Sequence, residues 1–505
     1  MKVGVELRGF DDFRLDLFHL CRLFAEDAET VWDGAGADCD WRLVLELREQ
    51  GDLVRVSGEL VHLESGSVRR RSSERQLPPV EGERRRRARK LAVLALALQL
   101  WEDATGVLQP WGMLTGIRPT KLMHRLLREH PPEESVRQFC ELYLASEEKA
   151  RLLVDIAQRQ LAVVPDLFRL EGEVSVYIGI PFCPTHCAYC TFPAYDIRGS
   201  AAVDGFVEAL ADEIAQIGSW LTSAGLAVTT VYWGGGTPTS LSAGQLDRLL
   251  SRMYETFPGM NRVRELTVEA GRPDTLSEEK LRVLLEWRVG RISINPQSFR
   301  QETLDVIGRR HTVEETVEKF ELARRMGFDN INMDLIVGLP DEDVETFRRS
   351  LEKVAELRPD SLTVHALSFK RAAEMTKNRE AYRTARRDEA AAMMDVAYGF
   401  AESEGYRPYY LYRQKNILGN QENVGFALSG KEGIYNIVMM EDCQTIVGLG
   451  CGAVSKFVYA ADGDSGEPVI ERFANPKEPN AYLRTYRDAV RKKIERLERR
   501  FVKIL

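Results

Sequence analysis

Cys183-Pro-Thr-His-Cys187-Ala-Tyr-Cys190 gathers three thiols within eight residues, with three and then two residues between them. A structural zinc or an ordinary [4Fe–4S] cluster takes four protein ligands, so three cysteines leave one metal coordination position open to a substrate or cofactor. The bland alternatives are a zinc knuckle or three packed core cysteines, and zinc loops usually pair two such clips whereas no second clip occurs. The run Val174-Ser-Val-Tyr-Ile-Gly-Ile-Pro-Phe182 reads as a buried strand leading into this loop, with Pro181 ending it. The thiols are therefore expected at the C-terminal mouth of a strand.

Five more β-branched runs follow: 228–233, 265–269, 291–294, 330–337 and 361–366. Helical patterns separate them at 206–220, 243–257, 278–286, 313–326 and 343–357. Six βα units in a row predict a parallel sheet with right-handed crossovers, curled into a barrel or partial barrel. The βα loops of such a sheet gather at its C-terminal face, where the chemistry is expected. Polar residues stand at these strand ends. Trp233-Gly-Gly-Gly-Thr-Pro238 offers backbone without side chains, Glu269 ends the third strand, Gln297 follows the fourth, and Asp334 interrupts an apolar strand. An aspartate there is costly to bury unless it is paired or bound to ligand.

The cysteine loop, with Tyr189 before its last thiol, resembles the radical S-adenosylmethionine (SAM) superfamily. That resemblance implies a [4Fe–4S] cluster on Cys183, Cys187 and Cys190, with SAM chelated to the unique iron. The segments from Tyr177, Trp233, Ile307 (Ile-Gly-Arg-Arg-His-Thr) and Ile331 (Ile-Asn-Met-Asp-Leu-Ile-Val-Gly-Leu-Pro) narrow it to the oxygen-independent coproporphyrinogen III oxidase branch. Glu-Ala-Gly-Arg-Pro-Asp from Glu269, Tyr-Leu-Tyr-Arg-Gln-Lys-Asn from Tyr410 and Asn-Val-Gly-Phe-Ala from Asn423 are similar to one bacterial subgroup of coproporphyrinogen dehydrogenases. By this resemblance Tyr177, Gly235 and Glu269 contact the cluster-bound SAM. Tyr189, Gly236, Thr237, Gln297, Arg309, Asp334 and Ser368 match positions holding a second SAM, and Tyr177 and Arg309 are the catalytic candidates. Two departures lie nearby: Gly179 stands where the oxidases carry histidine, and Cys190 leads into Thr-Phe-Pro rather than Gly-Cys.

The implied fold is α/β: a radical SAM partial (β/α)6 TIM-like barrel over 166–370, preceded by an N-terminal α+β domain (1–165) and followed by a C-terminal α+β extension with a helical tail (371–505). The N-terminal part carries alternating runs at 3–7, 41–47 and 53–60 that suggest a small antiparallel sheet, then helices from about Glu83. Nine arginines and a lysine stand between Arg69 and Lys90. They read as a solvated helix face, or as a patch for RNA or an anionic substrate. The loop Trp111–Lys121, with its arginine and lysine, is either structural or a source of cations for substrate carboxylates. The C-terminal part reads as a helix at 388–404, strands near 409–412, 434–440 and 445–449, a glycine-rich turn at 448–455, and a charged helix at 484–500. Cys451 in that turn is either a fourth cluster ligand or a small packing residue. Arg413 faces substrate or structure.

The chain has 505 residues, 44% hydrophobic and 29% charged, with net charge −8, which gives no global reason to expect nucleic-acid binding. The other cysteines are scattered without a disulfide framework, and no run of about 18 apolar residues occurs. A cytoplasmic monomer without a membrane span is the expectation. The resemblance implies oxidative decarboxylation of coproporphyrinogen III to protoporphyrinogen IX in haem biosynthesis. A reductant such as flavodoxin or ferredoxin and a separate electron acceptor are its implied partners. Alternatives are a haem-binding or haem-trafficking protein of the same branch, a radical SAM methyltransferase, or a nucleic-acid-modifying enzyme.

Overall fold

The computed structural model describes all residues except 26, 34–37, 80–81, 117, 460–467 and 502–505; Ile117 of the Trp111–Lys121 loop thus lies outside the described residues. Two compact units are present. The first holds Met1–Ala157 together with Arg413–Asn416, and the second holds nearly all of the remaining chain from Gln158 onward.

The first unit contains a five-stranded sheet of β1 (Lys2–Arg8), β2 (Glu29–Trp32), β3 (Trp41–Gln50), β4 (Leu53–His62) and β5 (Val68–Gln76), ordered β2-β1-β3-β4-β5. It is mixed rather than antiparallel as expected. β1 runs parallel to both β2 and β3, while β3, β4 and β5 are antiparallel neighbours. The helix Arg14–Cys21 explains part of the difference, because it carries the chain back so that β2 runs in the direction of β1. One face of this sheet packs on the helix Glu83–Thr105, whose Val93, Leu96, Ala97, Leu100 and Trp101 are buried with Leu43, Leu45, Val54, Val56 and Leu60.

The arginine cluster divides between the edge strand β5 and the start of that helix. Arg70 pairs with Glu59, Arg71 with Asp103, Arg89 with Glu49 and Lys90 with Asp16. Arg85 is buried, held by Glu49, Asp52 and the carbonyls of Gly51 and Pro78. Charges on an edge strand also discourage pairing with another chain. The loop from Trp111 packs within the same unit on Arg413–Asn416. The Arg413 guanidinium lies 5.1 Å from the Trp111 ring centroid and donates to the Leu114 carbonyl at 2.6 Å, so Arg413 serves structure here.

The second unit is built on one eleven-stranded sheet. Its parallel strands are β6 (Glu173–Ile180), β9 (Ala227–Gly235), β10 (Glu265–Glu269), β11 (Arg291–Ser293), β12 (Ile331–Val337) and β13 (Ser361–Ala366). Two short strands, β7 (Phe182–Cys183) and β8 (Tyr195–Asp196), pair beside the cysteine loop. Four of the helices between the main strands begin with side-chain caps: Ser242, Ser277, Thr312 and Asp343 each accept a backbone N–H three residues on. Each such cap contributes about 1 kcal/mol.

The C-terminal segment extends this sheet at both ends instead of standing apart. β14 (Arg407–Tyr412) and β15 (Asn423–Ala427) join antiparallel beyond β13; β16 (Ile446–Gly450) runs parallel beside β6, followed by β17 (Val454–Tyr459) and β18 (Val469–Ala474). The expected strand at 434–440 is instead the helix Ile434–Glu441. Its β-branched composition suggested a strand, but Ile437 and Val438 pack together on Tyr409, Tyr410, Leu167 and Leu170, and a helical turn is what puts adjacent residues on one buried side. The final helix, Pro479–Phe501, buries Lys493.

Candidate active site

The strand register sets the site. Glu269 pairs with Ser293, and Ser293 with Asn332, so three polar residues sit side by side across β10, β11 and β12; on the other flank Gly448, Tyr177 and Tyr232 are in register across β16, β6 and β9. The turn after β9 brings the cysteine loop to this mouth. Gly236 and Thr237 donate their N–H groups to the carbonyls of Ile180 and Phe182, at 2.7 and 2.8 Å. A Cβ on Gly236 would stand 2.6 Å from the Phe182 carbonyl oxygen and 3.1 Å from the Cys183 sulfur, and one on Gly235, at φ +111°, 2.8 Å from the Ile180 carbonyl oxygen. These two glycines therefore seat the loop against the backbone. Gly234 is the one that opens toward the mouth: its missing Cβ would meet Glu269 Oε2 at 3.0 Å and the Tyr177 hydroxyl at 3.1 Å.

Cys183 and Cys187 are buried and Cys190 half-buried. Cys183 Sγ lies 3.3 Å from Thr237 Oγ1, and Arg272 Nη1 donates toward Cys187 Sγ at 3.9 Å. Burial, reinforced by the neighbouring Cys187 and Cys190, pushes the Cys183 thiol up to about 11, while the Thr237 hydrogen bond acts the other way. Burial also raises Cys190. Among the described residues no three His, Cys, Asp or Glu side chains converge to hold one metal ion. A cluster has no such requirement, because each thiolate takes its own iron, and three sulfurs with hydrogen bonds to two of them are suitable donors for it. The loop is fixed from outside by Ala188 N–H to the Ile307 carbonyl, at 3.0 Å, and Thr185 Oγ1 to the Gly308 carbonyl, at 2.9 Å.

Cys451 is not with them. Its thiol donates to the carbonyls of Pro476 and Lys477 at 3.2 and 3.1 Å, which corrects the fourth-ligand reading in favour of packing. The same turn accounts for Gly179, where a Cβ would stand 2.9 Å from the Cys451 carbonyl oxygen, so a histidine there would collide with backbone.

The expected cofactor residues gather around this mouth. Tyr177 stacks on Tyr435 and Tyr232, with ring centroids 6.4 and 6.3 Å apart, and Tyr232 donates to Glu269 Oε1 at 2.6 Å. Burial, together with Asp334, pushes the Glu269 carboxyl up to about 7 against that bond. Asp334 accepts from Asn295 Nδ2 at 2.8 Å and Asn332 Nδ2 at 2.7 Å, with His365 Nε2 at 3.6 Å. Burial alone would raise Asp334; His365 and the hydrogen bonds from Asn332 and Thr363 hold it below its ordinary value. Arg309 donates to the carbonyls of Gly271 and Asn295, at 2.5 and 2.8 Å, and to the Tyr189 hydroxyl at 3.3 Å. Ser368 bridges through its backbone to Ile417.

Gln297 takes φ +67°, a left-handed conformation rare for a side-chain-bearing residue and concentrated at functional sites. Ser293 Oγ, Asn295 Oδ1 and Gln297 Oε1 are all buried without a hydrogen-bond partner, and they occur at alternate positions from the end of β11 onward. Buried polar atoms are normally paired, so such a row suits a polar ligand. Sequence reasoning named Gln297 and missed Ser293, Asn295, His365 and Arg272. The alternation Ser-Ile-Asn-Pro-Gln was the available signal for the first two.

A radical SAM superfamily model matches residues 177–354. Over 503 residues, 99% of each chain, the sequence is 48% identical to the oxygen-independent coproporphyrinogen-III oxidase-like protein HemZ of Bacillus subtilis. It is 32% identical to the heme chaperone HemW of the same organism, over 55% of this chain and 70% of that one. To the oxygen-independent coproporphyrinogen III oxidase of Escherichia coli it is 34% identical, over 38% of this chain and 42% of that one. The solved structure of the E. coli oxidase HemN, described as a radical SAM enzyme, shares the fold with a TM-score of 0.51 at 24% identity, covering 66% of this chain and 72% of that one.

Proposed function

This chain belongs to the oxygen-independent coproporphyrinogen-III oxidase-like family of the radical SAM superfamily, and from that premise we propose that it oxidatively decarboxylates coproporphyrinogen III to protoporphyrinogen IX. The superfamily uses a [4Fe–4S] cluster and SAM, which when bound supply one-electron cleavage of a sulfonium to a carbon-centred oxidant. Cys183, Cys187 and Cys190 hold the cluster. By the sequence resemblance Tyr177, Gly235 and Glu269 border the SAM bound to it, Gly235 through its backbone and Gly234 by leaving the space between Tyr177 and Glu269 open; Glu269, ionised, accepts hydrogen bonds from an ammonium or from ribose hydroxyls. Tyr189, Gly236, Thr237, Gln297, Arg309, Asp334 and Ser368 border a second SAM, as the sequence resemblance assigns them.

The observation that carries this reading is the three-thiol loop at a strand mouth lined by Glu269 and by the unpartnered atoms of Ser293, Asn295 and Gln297. Removal of a hydrogen atom from the β-carbon of a propionate lets carbon dioxide leave and a vinyl group form, with one electron passing to an acceptor. Side chains at the mouth orient the propionate and keep water out. A small one-electron carrier of the flavodoxin or ferredoxin class serves as reductant, and a monomer working in the cytoplasm suits these partners. Among the described residues no helix is long and apolar enough to cross a membrane.

The heme chaperone relatives favour a second reading, in which the chain binds haem and hands it on. The test is anaerobic: reduced, reconstituted protein, SAM, coproporphyrinogen III and a cell extract supplying the acceptor, followed by chromatography. Tri- and dicarboxylic products support the decarboxylase. SAM cleavage without either product, together with stoichiometric haem binding, removes it in favour of haem transfer.

A further inference from the structure

We propose that Arg272 sets the reduction potential of the cluster held by Cys183, Cys187 and Cys190, with Asp274 as its orienting counter-charge; this rests on the cluster-binding role proposed above. Arg272 is 3% exposed and comes from the turn after β10. Its Nε and Nη2 are held by the two carboxylate oxygens of Asp274, at 3.0 and 2.8 Å, a fork that fixes the guanidinium plane. The remaining nitrogen, Nη1, points to the cysteine loop, 2.8 Å from Thr185 Oγ1 and 3.9 Å from Cys187 Sγ. The positive end of the pair thus faces the sulfur and the negative end is turned away.

Reducing a cluster adds negative charge, so a nearby cation and an N–H···S hydrogen bond both favour the reduced state. Arg309, also buried by the loop, donates to two carbonyls and to the Tyr189 hydroxyl, whereas Arg272 is the guanidinium that reaches a sulfur. A role in clamping the loop through Thr185 alone would leave the potential indifferent to the sign of the charge removed. The electrostatic role does not.

The two halves of the pair therefore give opposite results. Arg272→Gln removes the cation and leaves Asp274, and the reduction equilibrium constant is expected to fall at least tenfold, about 59 mV downward for a one-electron couple. Asp274→Asn keeps the cation and removes the counter-charge, so the potential rises. Arg272→Lys keeps the charge but loses the fork and falls between wild type and Arg272→Gln. The readout is the midpoint potential from an anaerobic titration followed by electron paramagnetic resonance, on protein reconstituted with iron and sulfide and without SAM. Shifts of opposite sign support the proposal; no shift, or shifts of the same sign, overturn it. Where Arg272→Gln holds no cluster, Asp274→Asn decides by itself, an unchanged or lowered potential counting against it. A wild-type chain that takes up no four-iron cluster would sink the cluster reading instead, so the two failures are separable.

Discussion

Lys493 and Glu213 are both fully buried, and removing one of them should be far worse than removing both charges. The Lys493 ammonium bonds Glu213 Oε1 and the Gly448 carbonyl, the latter at 2.6 Å. Glu213 also accepts from the Gly450 N–H at 2.7 Å, the Tyr482 hydroxyl at 2.6 Å and Asn475 Nδ2 at 3.2 Å. The final helix is thereby locked to the Gly448–Gly452 turn that walls Gly179. In Lys493→Met the carboxylate keeps three neutral donors but no cation, which costs about 3–5 kcal/mol, and the Gly448 carbonyl loses its strongest donor for about 1 kcal/mol more. Adding Glu213→Gln removes the uncompensated charge and should restore at least about half of that loss. Hydrogen exchange read on peptides spanning β16 and the final helix is the assay. Because about 1.4 kcal/mol is a factor of ten, the single variant should open at least about a hundredfold more often than wild type. A single variant that opens no more than about fivefold faster, or a double variant as loose as the single, would refute the argument.

Three further outcomes follow from the site. With Glu269 pushed up to about 7, the ionised form that accepts donors grows as pH rises through neutrality; SAM affinity, measured by calorimetry on unreduced cluster-loaded protein, should rise over that range and stay flat in Glu269→Gln. Gly236→Ala should lower bound iron, since the new methyl meets the Phe182 carbonyl at 2.6 Å and Cys183 Sγ at 3.1 Å. Gly234→Ala should keep iron and weaken SAM binding instead, and equal iron loss in both would contradict the division of roles. Cys451→Ala should leave iron content at the wild-type value while Cys187→Ala abolishes it, as counted after anaerobic reconstitution.

The parallel core was legible because its signals are local. Glu265–Glu269, Ser361–Ala366, Glu278–Glu286 and Val313–Met326 fall where periodicity put them, since each strand is buried on both faces and the helices carry their own caps. Signals that depend on partners were not legible. The arginine-rich run from Arg69 reads as a solvated helix face or a binding patch, and only the pairing of Val68–Gln76 with β4 makes its first part a strand. Val3–Leu7 gives no sign of its direction relative to β3, because alternation is the same in parallel and antiparallel neighbours. The cysteines and Glu269 announced themselves by spacing and strand-end position. His365 and Asn295 became site residues only once β11, β12 and β13 lay side by side around Asp334.

That distinction bears on what separates a porphyrinogen oxidase from a haem carrier within this family. The E. coli oxidase aligns with 38% of this chain and the B. subtilis heme chaperone with 55%, while the B. subtilis oxidase-like protein aligns with 99%. A cysteine loop common to a superfamily cannot by itself choose between outcomes, because it dictates electron supply and not which molecule faces it. Two positions near the loop depart from the pattern that the sequence resemblance implies, and both are physical here: Gly179 is closed to any side chain by the Cys451 carbonyl, and Cys190 runs on to an exposed Phe192. The proposal that this chain acts on a porphyrinogen therefore rests on other groups at the same mouth, among them Glu269, Arg309, and Asp334 with its neighbour His365.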